Sequence, residues 1–188
     1  VLKDAFAMVG MSAYLVLILD VDPTMLALVL IGLFTLVNVV GSKASASMQL
    51  GLVVVVLSAL AWFVVQGLWE TADRGVDGSN LDPFFTHGGS GLVAVIGLVF
   101  VSYGGLTKVA SAAEEVEDPS QRIPQGMALS LATATVLYTL GVLVTVAVVP
   151  ADVLHGDLAP IHTAAETVLP KVGVWLVVVA ALAAFSSA

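Results

Sequence analysis

Between Phe100 and Pro124 the chain reads FVSYGGLTKVASAAEEVEDPSQRIP. Hydroxyl groups at Ser102, Tyr103 and Thr107 flank the glycine pair Gly104-Gly105, and Lys108 precedes the acids Glu114, Glu115, Glu117 and Asp118. The glycines interrupt a run of apolar residues long enough to lie in a bilayer. A bilayer core has no water to satisfy a broken backbone, so a helix interrupted there persists only where it is buried in protein or lines a solute cavity. Each glycine costs about 1 kcal/mol in a helix interior, which makes Gly104-Gly105 the weakest point of the segment. Unwinding there leaves the carbonyls of Val101, Ser102 and Tyr103 without their i+4 partners and frees N–H groups around Thr107, giving one negative and one positive pole. A zwitterionic amino acid suits that pair of poles. The other reading of the same glycines is close packing against a neighbouring helix, as small residues do in membranes.

The remaining reactive groups point to no reaction. Lys108 sits well inside an apolar segment, where a charge costs about 2.5–3.5 kcal/mol on insertion scales. It either takes part in ion coupling or snorkels toward Glu114 and Glu115, about 9 Å further along the helix. The snorkelling reading is the simpler one. The acid cluster has no histidine beside it and reads as a solvated interfacial face with a helix cap rather than a catalytic pair or a metal site. His87, His155 and His162 fall in loops, where an exposed histidine is the default. There is no cysteine, which excludes disulfides, thiolate nucleophiles and cysteine-ligated metals. Neither a Ser/His/Asp set nor a phosphate-binding loop is present, so enzyme chemistry is not expected, and no cofactor is implied.

The elements that position Phe100–Pro124 are apolar helices. Of the 188 residues 59% are hydrophobic and 11% charged, against about a quarter charged in ordinary soluble domains, and the mean hydropathy is +1.07. The spacing predicts four complete membrane segments, Met25–Val40, Met48–Trp69, Gly91–Ala113 and Met127–Val149. They are apolar on most faces, so their period is uninformative and their ends carry the signal. Asp22-Pro23, Asp82-Pro83 and Asp118-Pro119 each pair a good N-cap with a proline at the first helical position. Gln121, three residues after Asp118, completes a capping box there. A short surface helix is expected at Asp82-Pro83. Shorter apolar runs at Ala5–Leu19 and Val172–Ala188 read as incomplete segments. Residues 1–188 are therefore expected to be one partial transmembrane domain, truncated at both ends.

With a formal net charge of −8, the chain is not expected to bind nucleic acid. Its partners are the lipid bilayer and a small solute. The loops with Lys43 and Arg122, together with Lys108, hold three basic residues against Arg74 and Lys171 opposite, an excess that decides little by itself; the Lys43 and Arg122 loops are expected in the cytoplasm.

The pattern Phe100, Ser102, Tyr103, Gly105, Ala110, Ala113-Glu114-Glu115, Asp118-Pro119, Arg122 and Pro124 resembles the sixth transmembrane segment of the amino acid, polyamine and organocation permease family. Asn38, Gly41, Lys43, Ser45 and Gln49 are similar to that family's loop between segments four and five. The resemblance covers essentially the whole chain, from the end of segment three through most of segment eight.

It implies an all-α polytopic membrane protein, part of a leucine-transporter-like five-plus-five inverted repeat with a discontinuous helix near Gly104-Gly105. It implies substrate binding at Val101, Ser102, Tyr103, Gly104, Gly105 and Thr107, with the backbone carbonyls taking the ammonium. Ser186 and Ser187 resemble segment-eight hydroxyls that hold a coupling ion in sodium-coupled members of the wider fold; such serines also bond their own backbone. The coupling ion, H+ or Na+, stays open. Where many relatives carry an acid after Gly105-Leu106, this chain has Thr107 and Lys108, which favours a neutral over a cationic substrate. The expected function is secondary active amino acid transport by alternating access, driven by an ion gradient or by exchange, in a plasma or inner membrane. A channel, a membrane enzyme and an assembly subunit are the alternatives.

Overall fold

In a computed structural model of the protein, residues 2–19, 21–40, 46–75, 88–103 and 118–186 are described, and every regular element among them is helical. The helices are α1 (Leu2–Val16), α2 (Pro23–Val40), α3 (Ala46–Arg74), α4 (Gly88–Ser102), α5 (Pro119–Val148), α6 (Ala151–Leu154), α7 (Pro160–Val168) and α8 (Lys171–Ser186). Two are long and apolar enough to cross a membrane, with spans at Gln49–Asp73 and Pro119–Val148. The 25 residues of the first span give about 37 Å of helix, enough for ~30 Å of hydrocarbon with some tilt.

Helix starts follow the expected capping chemistry at Asp22 but not at Asp118. At Asp22 the carboxylate accepts the N–H groups of Thr24 at 2.9 Å and Met25 at 3.0 Å, satisfying two donors that the first turn of α2 otherwise leaves orphaned. At Asp118 the expected cap and its capping box with Gln121 are not formed. Asp118 has φ 52°, ψ 58°, and its side chain makes no cap hydrogen bond. A capping residue needs extended backbone angles to aim its oxygen at the N2 and N3 N–H groups, and the left-handed conformation turns the carboxylate away. The helix still starts at Pro119, with the Asp118 carbonyl accepting from Gln121 and Arg122 at 3.1 Å each. The segment expected at Met127 therefore begins eight positions earlier, with Pro124 inside it, because hydropathy registers only where the polar first turns end. The short helix expected at Asp82-Pro83 lies outside the described residues.

The connection between α5 and α8 holds two helices that hydropathy does not reveal, α6 and α7. Asp157 organises α7: its carboxylate accepts the Ala159 N–H at 2.7 Å and the Thr163 hydroxyl at 2.6 Å. Pro160 occupies the first helical position. The buried face of α7, Ala164, Ala165 and Val168, packs with Phe63 and Val64 of α3, Val144 of α5 and Val177 of α8. This short amphipathic helix is thus a wedge in the main core, among the C-terminal halves of α3 and α5 and the start of α8. A second cluster joins Tyr14 of α1 to Ala159 and Val178.

Small residues permit the close crossings. A β-carbon on Gly67 of α3 would collide with Val144 of α5, and one on Gly10 of α1 would come within 2.6 Å of the Phe185 ring of α8. Lipid tails are as apolar as leucine, so such dispersion contacts and internal hydrogen bonds hold helices together in a membrane. The buried hydroxyls bond their own helices, Ser12 to the Val9 carbonyl and Thr145 to the Gly141 carbonyl, both at 2.8 Å. No buried side-chain polar atom among the described residues lacks a partner. Outside this core the helices show apolar surface, with Leu50, Val93, Ile96, Leu129 and Val142 all at least half exposed. Such a surface suits lipid or further apolar helices rather than water.

Candidate functional site

Helix α4 ends where the glycine pair predicts a break to begin. Its last helical residue is Ser102, and Tyr103 follows in a turn, its N–H donating to the Phe100 carbonyl at 3.2 Å. That i−3 bond tightens the final turn, as helix ends do when the regular i−4 ladder stops. The last-turn carbonyls form the negative pole of α4. Gly104, Gly105, Thr107 and Lys108 lie outside the described residues.

Val101, Ser102 and Tyr103 all line one cleft of about 860 Å3 between α1, α4, α5 and α8. The Ser102 hydroxyl donates back to the Leu98 carbonyl at 3.3 Å, so it has a local partner as well as access to the cleft. Tyr103 is held by two residues of α5: its hydroxyl donates to Thr135 Oγ1 at 3.1 Å, and its ring lies 5.6 Å from that of Tyr138, tilted by 57°. Thr135 and Tyr138 are three residues apart and share a helix face, so one face of α5 grips both the tip and the ring of Tyr103. The opposite wall comes from Phe6 of α1 and Phe185 of α8. Phe185 lies over Gly10, where α1 has no side chain to displace it. Ser186 is the last residue of α8, one position beyond Phe185; its side chain and Ser187 lie outside the described set.

The sequence reading missed Phe6, Thr135, Tyr138 and Phe185. A signal existed for one of them, since Tyr138 is one of only three tyrosines in the chain and stands in an otherwise aliphatic segment. The other three are ordinary helix residues until the fold brings Thr135 to Tyr103 and Phe6 and Phe185 to the same cleft.

One histidine departs from expectation. His162 is not on an exposed loop: it lies on α7 with its side chain only 13% exposed and its Nε2 4.0 Å from Glu166, and it meets the Tyr14 ring edge-on at 6.4 Å between centroids. The apolar face of α7 is buried, and that carries its neighbour His162 against α1. With Glu166 and Lys171 it borders a second cavity of about 550 Å3. His155 is exposed, as a loop histidine should be, and His87 lies outside the described residues. Among the described residues no three acidic or histidine side chains gather to hold a metal.

Comparison with known proteins identifies the family. The sequence model of the family described as "Amino acid permease" matches residues 3–188. The chain is 34% identical over 145 residues to "Cationic amino acid transporter 4, vacuolar" of Arabidopsis thaliana, covering 77% of this chain and 24% of that protein. It is 34% identical over 119 residues to "Cationic amino acid transporter 8, vacuolar" of the same plant, covering 63% of this chain and 19% of that protein. Against "Inner membrane transport protein YbaT" of Escherichia coli it is 28% identical over 164 residues, covering 86% of this chain and 37% of that protein. The chain thus spans well under half the length of these curated relatives. Its helices, its apolar surface and a family match over nearly every residue make it a member of the amino acid permease family, a family of polytopic integral membrane transporters and not of enzymes.

Proposed function

We propose that this chain is part of a secondary active transporter that moves a neutral amino acid across a membrane by alternating access. The observation that carries the reading is the end of α4 at Ser102, with Val101, Ser102 and Tyr103 facing a cleft whose described walls hold no acid, lysine, arginine or histidine. The carbonyl end of α4 takes the substrate ammonium. On this reading Gly104, Gly105 and Thr107 belong to the same site. The names of the plant relatives speak of cationic amino acids. A neutral substrate is favoured here by the uncharged described walls and by Thr107 and Lys108 standing where many relatives place an acid.

In this reading the chain supplies the second discontinuous helix of a five-plus-five inverted repeat, and transport is the rocking of helices about a mid-membrane site. An H+ or Na+ gradient, or exchange, drives it, with Ser186 and Ser187 as the candidates for coupling, and Lys108 a third only if it does not simply snorkel. The membrane is the plasma or inner membrane, with the Lys43 and Arg122 loops in the cytoplasm. Uptake of labelled neutral amino acids by proteoliposomes holding the complete protein tests the proposal. Saturable uptake above that of empty vesicles, altered by an imposed ion gradient or by counter-substrate, is expected. Sustained single-channel current in place of saturable uptake would establish a channel instead.

A further inference from the structure

The cleft at the end of α4 is walled by rings from four different elements: Phe6 of α1, Tyr103 beyond α4, Tyr138 of α5 and Phe185 of α8. We infer that the site selects an amino acid with a large apolar side chain, aromatic or branched, and that Tyr138 is a determinant of that selection. The inference rests on the reading of this cleft as the substrate site.

Charge divides the cleft into two regions. Its polar end is the last turn of α4, whose carbonyls attract an ammonium. The rest of its described lining carries only apolar side chains and hydroxyl groups. A substrate anchored by its amino group at Val101–Tyr103 therefore directs its side chain toward α5 and α8. A guanidinium or a second ammonium there would lose water without meeting a counter-charge among these walls. A ring face offsets only part of that loss.

Size acts in the same direction. A methyl side chain would leave the rings without contacts, whereas a benzyl or branched chain gains dispersion contacts and the offset or edge-on arrangements that aromatic pairs prefer.

The wall is also held in place. Tyr103 is fixed at its hydroxyl by Thr135 and along its ring by Tyr138, and Phe185 is set against Gly10. Of these groups Tyr138 comes from a helix outside the glycine-bearing motif; it meets Tyr103 ring to ring, while the ammonium is taken by backbone carbonyls of α4 and the Tyr103 hydroxyl keeps its bond to Thr135.

The test uses the complete protein in proteoliposomes, with labelled phenylalanine as the probe and unlabelled phenylalanine, leucine, alanine and arginine as competitors. Phenylalanine and leucine are expected to compete at concentrations at least about tenfold below alanine, the scale set by a few methylene groups in an apolar pocket, and arginine is expected not to compete. Tyr138→Ala should raise the KM for phenylalanine about tenfold with less change in kcat and narrow the gap to alanine, while Tyr138→Phe retains the wild-type preference. Folding of each variant is checked by a monodisperse size-exclusion profile, and the wild-type competition series needs no variant. Alanine or arginine competing as well as phenylalanine overturns the inference and leaves amino acid transport standing. So does a well-folded Tyr138→Ala protein with an unchanged preference. Uptake of no amino acid by folded wild-type protein overturns the transport reading, and this inference with it.

Discussion

At the scale of single residues, the site is built from backbone polarity and ring contacts rather than from charged side chains. The carbonyl pole at Val101–Tyr103 exists because α4 stops at Ser102, and the neighbouring glycines account for the stop, since both destabilise a continuing helix. Gly105→Leu in the complete protein should therefore abolish uptake while membrane insertion and yield stay near normal, because a side chain there favours continuous helix and fills the cavity. Normal uptake by a well-expressed variant would count against the site. That prediction was open to sequence reasoning alone. The grip on Tyr103 was not, because Thr135 and Tyr138 lie more than thirty positions away, and no local pattern links residues so far apart in an apolar helix.

At the scale of elements, two features set how the helices meet. The first is Gly67, where α3 approaches α5 so closely that an added β-carbon would strike Val144. Gly67→Leu should destabilise the protein by about 1–3 kcal/mol, as overpacking of a close-packed contact does. Gly51→Ala on the same helix, where nothing lies within 4 Å, should be neutral or slightly stabilising through its better helix propensity. Thermal unfolding in detergent separates the two, and equal losses would show that Gly67 is not a crossing point. The second feature is the α7 wedge. Asp157→Ala removes the acceptor for both the Ala159 N–H and the Thr163 hydroxyl and should cost about 1 kcal/mol, the size of a lost cap. Faster amide exchange confined to α7 and the adjoining start of α8 would report it. The sequence held a readable sign of this helix: Ile161, Ala164, Ala165 and Val168 follow the i, i+3, i+4, i+7 spacing of one apolar face, and these are the positions that meet the core. Hydropathy overlooks it because the segment is short and its other face is polar.

At the scale of the whole molecule, the helices enclose a core at one end and leave much of their apolar surface uncovered. Helix α4 has no buried residue. It packs most closely on α1, and Phe100 is 79% exposed. Alternating access needs one bundle to move against another around a shared site, and this chain spans 19–37% of the relatives compared above. The 188 residues by themselves should therefore show no saturable amino acid uptake in liposomes, whereas the complete protein should. Uptake by the isolated chain well above empty vesicles would mean that a single half-site suffices.

Composition and local chemistry determined the class of protein, the rough extent of its long apolar helices, the start of α2 at Asp22-Pro23 and the end of α4 before Gly104. These depend on the hydrophobicity of contiguous residues, on proline and glycine backbone preferences, and on caps formed within three positions. Even this local reading failed at Asp118, where a left-handed backbone disables a residue type that ordinarily caps. Tertiary structure alone decided that Phe6, Tyr138 and Phe185 line one cleft with Tyr103, that His162 turns inward against Tyr14, and that α7 enters the junction of α3, α5 and α8. Helices that are apolar on nearly every face carry no mark of which face meets which neighbour. That choice is made by the few places, such as Gly10 under Phe185 and Gly67 beside Val144, where the shapes of two helices fit.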